Sequence, residues 1–374
     1  MSKFDRYMLS QLLALFGFFS LVLVLVYWIN RAVGLFDKLI GDGQSSMVFL
    51  EFSLLTLPFI IQLVMPISAF AATVYVTNRL TSESELVVMQ ATGFSAFRLA
   101  RPVLYFGLIV AVMMMVLMHV LVPISRTMMA DRSAEISENV TARFLTEGQF
   151  THPAQAITLY IREITENGEL LDIFLADERA EKTRTTYTAR RAFLVKGTDG
   201  PKLVMFDGMA QSIARIDARM SVTRFADFAY DLAGLITGGV RAGRGVGELS
   251  TRELLFPIEA VMAEAGTSRA AMLFEGNSRF GQPLLATAAS LIGFAALLLG
   301  AFSRFGLWRQ ILFAIVLLIV VQTVNTVVTA AGRLDEKGWI LAYVPALFGV
   351  GIAVGLLWLS QRPRRVRTSP EVMA

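Results

Sequence analysis

The stretch ITLYIREITENGELLDIFLAD, residues 157–177, decides what kind of domain occupies the middle of this chain. Apolar side chains occupy every second position on both sides of Asn167-Gly168. The alternating apolar positions are Ile157, Leu159, Ile161, Leu171, Ile173 and Leu175. A period of two is typical of a strand with one buried face, and Asn-Gly is a favoured hairpin turn. The stretch therefore predicts a β-hairpin.

Further strand-like runs extend this pattern over about residues 151–232. The runs cover residues 186–195, 203–206 and 221–230. Asp199-Gly200 and Asp207-Gly208 lie between such runs, where tight turns need a residue that tolerates positive φ. Many short strands with this spacing predict an antiparallel sandwich or an open curved sheet.

Long apolar stretches flank this polar insertion, three before it and three after it. They cover about residues 9–29, 52–76, 103–122, 282–302, 311–331 and 339–359. Each is long enough to cross about 30 Å of hydrocarbon as a helix. Hydrophobic residues make up 55% of the chain, above the usual share in a soluble domain. The fold class predicted is a polytopic α-helical membrane protein with six transmembrane helices and an inserted all-β domain.

Some residues inside these spans are unusual for a simple membrane anchor. Pro58 and Pro66 lie in the second span, where proline removes a backbone hydrogen bond, and they predict a shaped, packed helix. Met113–Met115 in the third span are expected to pack in lipid or core, or to line an adaptable apolar cavity. Gln322 and Asn325 in the fifth span are expected to form hydrogen bonds between helices.

The distribution of basic residues predicts the orientation. With the amino terminus inside, eleven Lys and Arg flank the spans on the cytoplasmic side and four lie in the short outer loops. The inner residues are Lys3, Arg6, Arg79, Arg98, Arg101, Arg304, Arg309, Arg362, Arg364, Arg365 and Arg367; the outer ones are Arg31, Lys38, Arg333 and Lys337. Positive residues favour the cytoplasmic side, so both termini are predicted inside and the β domain in the periplasm.

The composition excludes several classes of function. The chain has no cysteine, so a disulfide framework, a cysteine metal site and a thiol nucleophile are all excluded. His119 and His152 are expected to be packing or surface residues, and no metal site or cofactor is predicted. A net charge of +4 gives no indication of nucleic-acid binding. The sequence contains no phosphate-binding loop, no nucleophile elbow and no HExxH motif, so no catalytic residue is predicted.

Two alternatives for a membrane protein with a periplasmic β domain stay open at this point. A secondary transporter usually carries ionisable residues or broken helices at the membrane centre, and no Asp, Glu, Lys or Arg lies in the centre of any span. A membrane-embedded lipid-modifying enzyme needs acid and base residues grouped near the interface, and the insertion shows no such group.

The segment that leads from the β domain to the fourth span contains three local signals. The glycine-rich stretch Gly243–Gly247 is expected to be a flexible linker. Ser250 and Glu253 have the spacing of a capping box that starts a helix. Glu275 and Arg279 have the i,i+4 spacing of an ion pair, and they are a candidate hinge between the insertion and the span.

The connector between the second and third spans, about residues 79–101, is too long for a simple turn. Ser82-x-x-Glu85 predicts another capping box, and Gly93 predicts the helix end, so a helix over 83–92 is expected. Its apolar run leaves no fully wet face, so the helix should dock either on a cytoplasmic motor protein or on the lipid headgroups. The acids Glu83 and Glu85 fit poorly against an anionic leaflet and favour the motor. The candidate ATPase-coupling residues are Glu83, Glu85, Leu86, Val88, Met89 and Gly93.

This organisation resembles the lipopolysaccharide export permeases, the LptF/LptG family, over essentially the whole chain. The connector sequence TSESELVVMQATG, residues 81–93, is the most specific part of the resemblance. The other matching motifs are Gly148-x-Phe150, Thr188-Ala189-Arg190-Arg191, Asp207-Gly208 and Glu275-x-x-x-Arg279 with Pro283. The Thr-x-Glu-Ser-Glu form of the connector is more similar to the F subunit than to the G subunit.

The resemblance implies a non-catalytic permease subunit of an ATP-binding-cassette transporter in the bacterial inner membrane. It implies a heterodimer with a homologous permease subunit and a cytoplasmic ATPase dimer that hydrolyses the ATP. It also implies a single-span accessory subunit with a periplasmic jellyroll. Lipopolysaccharide would leave the inner membrane, pass to a jellyroll-like β domain and continue to a periplasmic bridge protein.

The resemblance also implies basic lipid contacts near the outer ends of the first and fifth spans. By position these are Arg31, Lys38 and Arg333, and basic groups at headgroup level do attract anionic lipids. Snorkelling to the interface is the alternative role for each of them.

The expected domains follow from these boundaries. Residues 1–124 hold the first three spans with the coupling helix 82–93, residues 125–250 the β domain, 251–281 a helical connector, and 282–374 the last three spans with a basic tail.

Overall fold

The computed structural model describes most of the chain, and it divides into two compact units. The described residues are 2–41, 45–144, 147–154, 156–165, 168–180, 183–197, 200–214, 219–231, 243–299 and 307–362. One unit combines Met1–Thr127 with Arg244–Ala374, and the other is Met128–Gly243. Arg244–Ser250, predicted to be part of the β domain, belongs to the helical unit.

The helices are numbered here in chain order. They are α1 (Lys3–Gly41), α2 (Ser46–Ser82), α3 (Glu85–Ala91), α4 (Ala96–Val116), α5 (Val122–Phe144), α6 (Thr251–Leu255), α7 (Glu259–Ala265), α8 (Arg269–Leu298), α9 (Trp308–Gly332) and α10 (Val344–Ser360). A π-helical turn, Leu117–Leu121, joins α4 to α5, and a 3-10 helix, Glu336–Tyr343, precedes α10.

Six helical segments of the described chain are long and apolar enough to cross a membrane, as predicted. They differ in how far they are buried. In the most apolar part of α8, 83% of the residues are buried, whereas only 11% are buried in the corresponding part of the first and of the fifth segment. The helical unit is therefore organised around α8, and its first and fifth segments lie at the outside.

Small residues let neighbouring backbones approach α8 closely. A Cβ atom at Gly281 would lie 2.3 Å from the carbonyl oxygen of Ala342, so only glycine fits there. The Thr287 hydroxyl donates to the Gly107 carbonyl at 2.9 Å, which joins α8 to α4 by a buried hydrogen bond. Close packing of small residues and such hydrogen bonds are how helices associate where no hydrophobic effect drives them together.

After the end of α5, whose last part belongs to the second unit, the chain forms six strands, in agreement with the predicted all-β domain. The strands are β1 (Phe150–Ala154), β2 (Ile157–Ile164), β3 (Glu169–Asp177), β4 (Thr183–Gly197), β5 (Gly200–Ala214) and β6 (Met220–Asp231). They lie in chain order in one antiparallel sheet. Gly168 has φ +78°, as a tight turn requires, whereas Asn167 and Asp199 lie outside the described residues.

The prediction of a turn at Asp207-Gly208 is wrong, because both residues lie inside β5. Glycine is required there for another reason. A Cβ atom at Gly208 would lie 2.4 Å from the Thr188 carbonyl oxygen and 2.5 Å from the ring of Phe225. The glycine therefore marks a close approach between strands rather than a reversal of the chain.

A line of backbone irregularities crosses the sheet from β2 to β6. Residues that pair across the strands form rows, and two neighbouring rows both face the core. In each strand two residues lie between these two rows, whereas regular alternation would put one residue between them. The first row is Ile161, Ile173, Ala189, Gly208 and Phe225, and the second is Ile164, Leu170, Ala192, Met205 and Phe228. Regular strand alternation would put positions three apart on opposite faces. Asp172 (φ +45°) and Asp207 (φ +51°) lie between the two rows. Their left-handed backbone conformation interrupts the regular alternation of side chains in β3 and β5.

The sheet folds along this line so that its two halves pack against each other. The ring of Tyr187, from one half, stacks on Phe228 of the other at 5.2 Å. Both halves contribute to one apolar core. A folded single sheet thus provides the sandwich-like interior, and the strand connections are consecutive hairpins rather than crossovers. Leu171 is half-buried, and its neighbour Leu170 supplies the buried position instead.

Candidate functional site

The connector helix α3 begins later than the sequence predicts. The Ser82 hydroxyl donates to the Asn78 carbonyl at 2.9 Å, because α2 continues through Ser82 and its side chain bonds to its own helix. Ser84, with φ +65°, is the residue before α3. The predicted capping box between Ser82 and Glu85 is therefore wrong, and Glu83 lies in the turn instead of in the helix.

The end of α3 is as predicted. Gly93 has φ +90°, a conformation that favours glycine. Its N–H donates to the Gln90 carbonyl at 3.0 Å, and the N–H of Phe94 donates to Met89 at 3.2 Å. These two bonds define a Schellman motif, which satisfies the last carbonyl groups of the helix.

The side chains of α3 divide into an anchored side and an exposed side. Leu86 is buried in the core of the helical unit, and Met89 packs against the same core. Val87 and Val88 point outward, and Val88 is 58% exposed. Glu85 accepts a hydrogen bond from the Tyr7 hydroxyl at 3.4 Å. The helix is thus fixed on one face and presents an apolar surface on the other.

Glu83 is held by its own helix end. Arg79 pairs with Glu83 at 3.0 Å in an i,i+4 arrangement, and both side chains are more than 40% exposed. Such an exposed pair stabilises a helix by only about 0.3–0.5 kcal/mol. Glu83 is therefore accessible to a partner, but its position is set by α2 and not by α3.

A cavity of about 350 Å³ lies between α2, α4, α8 and α9. Its lining is mainly apolar and includes Phe59, Leu63, Pro66 and Met114. Pro66 and Met114 belong to the proline-containing span and the methionine run that the sequence analysis singled out. A volume above 300 Å³ with a mostly apolar lining is in the range of small-molecule and lipid-chain sites.

Glutamine side chains supply the polar part of this cavity. Gln62, Gln282 and Gln322 line it from three different helices. Gln282 donates to Asn325 at 3.0 Å, which confirms the predicted interhelical role of Asn325. The Oε1 atom of Gln62 is buried without a hydrogen-bond partner among the described residues. Sequence reasoning missed Gln62 and Gln282, because nothing local brings three helices together.

The candidate lipid-binding residues lie in the last third of α1 and at the end of α9. Arg31 is exposed on α1, and the side chain of Lys38 lies outside the described residues. Arg333 ends α9, is 52% exposed, and donates to Glu275 of α8 at 3.2 Å.

The predicted hinge pair between Glu275 and Arg279 is replaced by two longer-range contacts. Glu275 pairs with Arg333 and so joins α8 to the end of α9. Arg279 is buried and donates to the Thr251 hydroxyl of α6 at 3.1 Å. Residues four apart on a helix can pair, but here neighbouring elements offer each side chain a different partner.

The segment that enters α6 is more ordered than predicted. The capping box is confirmed, because the Glu253 N–H donates to Ser250 Oγ at 3.3 Å and the Ser250 N–H donates to Glu253 at 2.8 Å. Arg244 pairs with Glu253 at 3.0 Å and with Glu264 at 2.8 Å. The glycine-rich stretch is therefore not a free linker, since Arg244 fixes it to α6 and α7.

These features define a class of protein. Six apolar helices carry a separate antiparallel β domain, an apolar cavity with amide groups lies between the helices, and a short connector helix presents exposed valines. This is the architecture of a polytopic membrane protein with an inserted β domain.

Comparison with known sequences gives the family. The sequence profile of the lipopolysaccharide export system permease LptF/LptG matches residues 6–360, so the chain belongs to that family. An uncharacterized protein of Rickettsia prowazekii (strain Madrid E) is 21% identical over 334 residues, which cover 87% of this chain and 90% of that protein. The lipopolysaccharide export system permease protein LptF of Escherichia coli K12 is 24% identical over 197 residues, about half of each chain (52%).

Proposed function

We propose that this chain is the transmembrane permease subunit, of the F type, of an ABC transporter for lipopolysaccharide. It would extract the lipid from the inner membrane and pass it to a periplasmic bridge toward the outer membrane. The family match over residues 6–360 is the observation that carries this proposal. The similarity to LptF of Escherichia coli supports the F type.

The cavity has the chemistry that an amphipathic lipid requires. Its apolar wall, with Phe59 and Leu63, suits acyl chains, because they would leave the bilayer core for a lining of similar polarity. The amide side chains of Gln282 and Gln322, which line the same cavity, would hydrogen-bond to an amide or hydroxyl group of the lipid.

Basic residues would hold the phosphate groups. Arg31 and Lys38 lie in the last third of α1 and Arg333 follows α9, and these parts of the two helices would reach the headgroups of the outer face. Each basic group near such a surface attracts anionic lipid by about 1 kcal/mol. Arg333 would have to share its charge between Glu275 and the lipid.

The connector would be the docking surface for a cytoplasmic ATPase dimer. Val88 and Val87 provide exposed apolar area, and Glu83 and Glu85 provide charge beside it. Leu86, Met89 and Gly93 would act indirectly, by fixing the helix to the core and ending it. ATP hydrolysis would take place on that separate subunit.

The remaining partners follow from the same proposal. A homologous permease subunit would complete a heterodimer, and a single-span accessory subunit with a jellyroll would join it. The β domain would lie in the periplasm and deliver lipopolysaccharide to the bridge protein. The first and fifth membrane segments have only 11% of their most apolar residues buried, so their exposed apolar surface could contact such partners.

Substitution of Val88 tests the docking surface. Val88→Asp places a charge in a contact that would be desolvated, so we expect at least about a tenfold loss of ATPase copurifying with the tagged chain. Lipid release from proteoliposomes should fall with it. Val88→Thr keeps the shape and is the matched control, with ATPase binding close to that of the parent.

The opposite result would refute the proposal. If the Val88→Asp chain, still folded, recovers the ATPase and exports lipid like the parent, α3 is not the docking surface. If the parent chain with its partner subunits moves no lipopolysaccharide while ATP is hydrolysed, the transport function itself is wrong.

A further inference from the structure

An ion pair between a buried carboxylate and a half-buried arginine joins the amino-terminal end of α1 to the start of α4. Asp5, in the first turn of α1, is completely buried. Arg98 Nη1 donates to both oxygens of its carboxylate, at 2.9 Å and 3.2 Å. The two residues lie 93 positions apart in the chain. A buried carboxylate needs such a partner, because an unpaired one would lose its solvation without compensation.

Asp5 also caps its own helix, and Arg98 contacts this cap. The Asp5 N–H donates to Ser2 Oγ at 3.2 Å, and the Ser2 N–H donates to Asp5 Oδ2 at 3.1 Å. Arg98 Nη2 donates to the same Ser2 hydroxyl at 3.2 Å. The guanidinium group therefore binds the whole capping unit, in a geometry that a lysine could not reproduce.

Two further hydrogen bonds tie the next turns of α1 to the same region. The Tyr7 hydroxyl donates to Glu85, the first residue of α3, at 3.4 Å. Arg79 Nη1, near the end of α2, donates to Gln11 Oε1 at 3.2 Å. Asp5, Tyr7 and Gln11 of α1 are thus bonded to α4, α3 and α2 respectively.

The buried side chains of α1 lie at this same end. Among its described side chains the buried ones are Asp5, Met8, Leu12 and Phe16, and those beyond Phe16 are half-buried or exposed. Leu21, for example, is 71% exposed. Within this chain, α1 is therefore fixed through the part that contacts the connector region.

The connector helix lies between these contacts. Glu85, at its start, bonds to Tyr7, and Arg98 follows the Gly93 stop by five residues and bonds to Asp5. The ring of Phe94, between them, lies 5.7 Å from the Arg98 guanidinium. The start of α3 and the start of α4, the helix that follows it, are consequently both bonded to α1.

We infer that Asp5 and Arg98 are positioning residues that make α1 and the connector helix move as one body. This inference rests on the proposed function, in which a partner ATPase acts on α3. A displacement of α3 then shifts the whole first membrane segment, because α1 is stiff and is held by its end. Without the ion pair, α3 moves while α1 lags behind, and ATP is hydrolysed without transport.

Three variants of the reconstituted complex test this role. Arg98→Gln leaves the buried Asp5 carboxylate without its partner, Asp5→Asn leaves the half-buried Arg98 guanidinium without its partner, and the double variant removes both charges. We expect ATPase turnover to persist in each, with the lipid exported per ATP falling by about tenfold, equivalent to about 1.4 kcal/mol. Arg6→Gln, on the same helical turn but exposed, is the matched control and should export like the parent.

A distance measurement separates positioning from general stability. The chain contains no cysteine, so cysteines at Ser10 and Gln90, both exposed, can carry spin labels uniquely. In the parent complex we expect the same distance between the labels in the nucleotide-free and vanadate-trapped states. In the double variant, which should fold because no charge is left unpaired, the distance should change between the states.

The outcomes are distinct. A parent distance that changes between the two states, or a double variant that exports as much lipid per ATP as the parent, would overturn the inference and leave the proposed function intact. Failure of the parent chain to assemble with an ATPase would instead overturn the proposed function, and the inference with it.

Discussion

A hydrogen-bonded cluster fastens the two halves of the folded sheet, and its removal is a direct test of the fold. The Tyr230 hydroxyl, on β6, donates to Asp177 Oδ2, at the end of β3, at 2.7 Å. Arg179 donates to both oxygens of the same carboxylate, at 3.0 Å and 2.7 Å. The Arg179 hydrogen bonds lower the pKa of Asp177 from 3.8 to about 2. Burial raises the pKa of Tyr230, so its hydroxyl stays a donor at neutral pH.

This pKa difference gives the expected contribution of the Asp177 cluster to the free energy of unfolding of the β domain. At about 1.4 kcal/mol for each pH unit, it corresponds to roughly 2.5 kcal/mol. The Asp177 side chain is 18% exposed, so screening by solvent reduces this contribution to about 1–2 kcal/mol. Because the folded pKa is the lower one, this stability is fully present above about pH 4. It disappears as the pH falls through about 2.

Urea unfolding of the full-length chain in detergent, followed by hydrogen exchange of β3 and β6 peptides, measures this contribution. Asp177→Asn should lower the free energy of unfolding of the β domain by about 1–2 kcal/mol at pH 7 and weaken its dependence on pH between 4 and 2. Asp172→Asn, on the same strand, is the matched control. Its pair with Arg162 is more than half exposed on both sides and should contribute less than about 0.5 kcal/mol.

Two results would contradict the reasoning. Equal losses from the Asp172 and Asp177 substitutions would mean that the cluster is an ordinary surface contact. An unchanged acid dependence in Asp177→Asn would mean that another group titrates in this range.

Two further predictions concern topology and the fold line. Single cysteines at Thr183 and Ser95 should lie on opposite sides of the membrane. In cells whose outer membrane is permeabilised, only Thr183→Cys should react with an impermeant thiol reagent. The reverse labelling pattern would show that the proposed orientation is wrong. Gly208→Ala should destabilise the β domain by about 1–3 kcal/mol, because its methyl group would collide with the Thr188 carbonyl and the Phe225 ring. Urea unfolding measures this loss, and an unchanged midpoint would show that the strands separate without cost.

The sequence by itself determined the features that depend on neighbouring residues. The six membrane segments were predictable, because length and apolar composition alone allow a helix to cross hydrocarbon. The end of α3 at Gly93 and the capping box of Ser250 and Glu253 were also predictable. Each of these forms between groups a few positions apart, whose geometry the local backbone sets.

The position of a helix start was less predictable when two helices compete for the same residues. Ser82 and Glu85 have the spacing of a capping box, yet α2 extends to Ser82 and takes its hydroxyl. Packing of α2 within the helical unit, where Leu80 is buried, stabilises these extra residues. Local spacing predicts that a cap can form, but the free energy of tertiary packing determines which helix keeps the residue.

In the β domain, the role of a glycine and the direction of apolar side chains also depended on tertiary contacts. Asp207-Gly208 has the sequence of a turn, but the close approach of Phe225 explains the glycine. The pairs of core residues three positions apart, such as Ile161 and Ile164, become meaningful only when all strands are aligned. Only the register of the sheet brings these irregularities onto one line.

The partners of charged residues were decided by the tertiary structure alone. In the sequence, Arg98 is only a charge that indicates topology, and no local pattern distinguishes Asp5. Their bond joins residues 93 positions apart, and Glu275 likewise pairs with Arg333 rather than with Arg279. A long charged side chain can reach several neighbours, and which one it meets depends on how distant helices pack. That packing is a property of the whole chain, so no local stretch of sequence contains it.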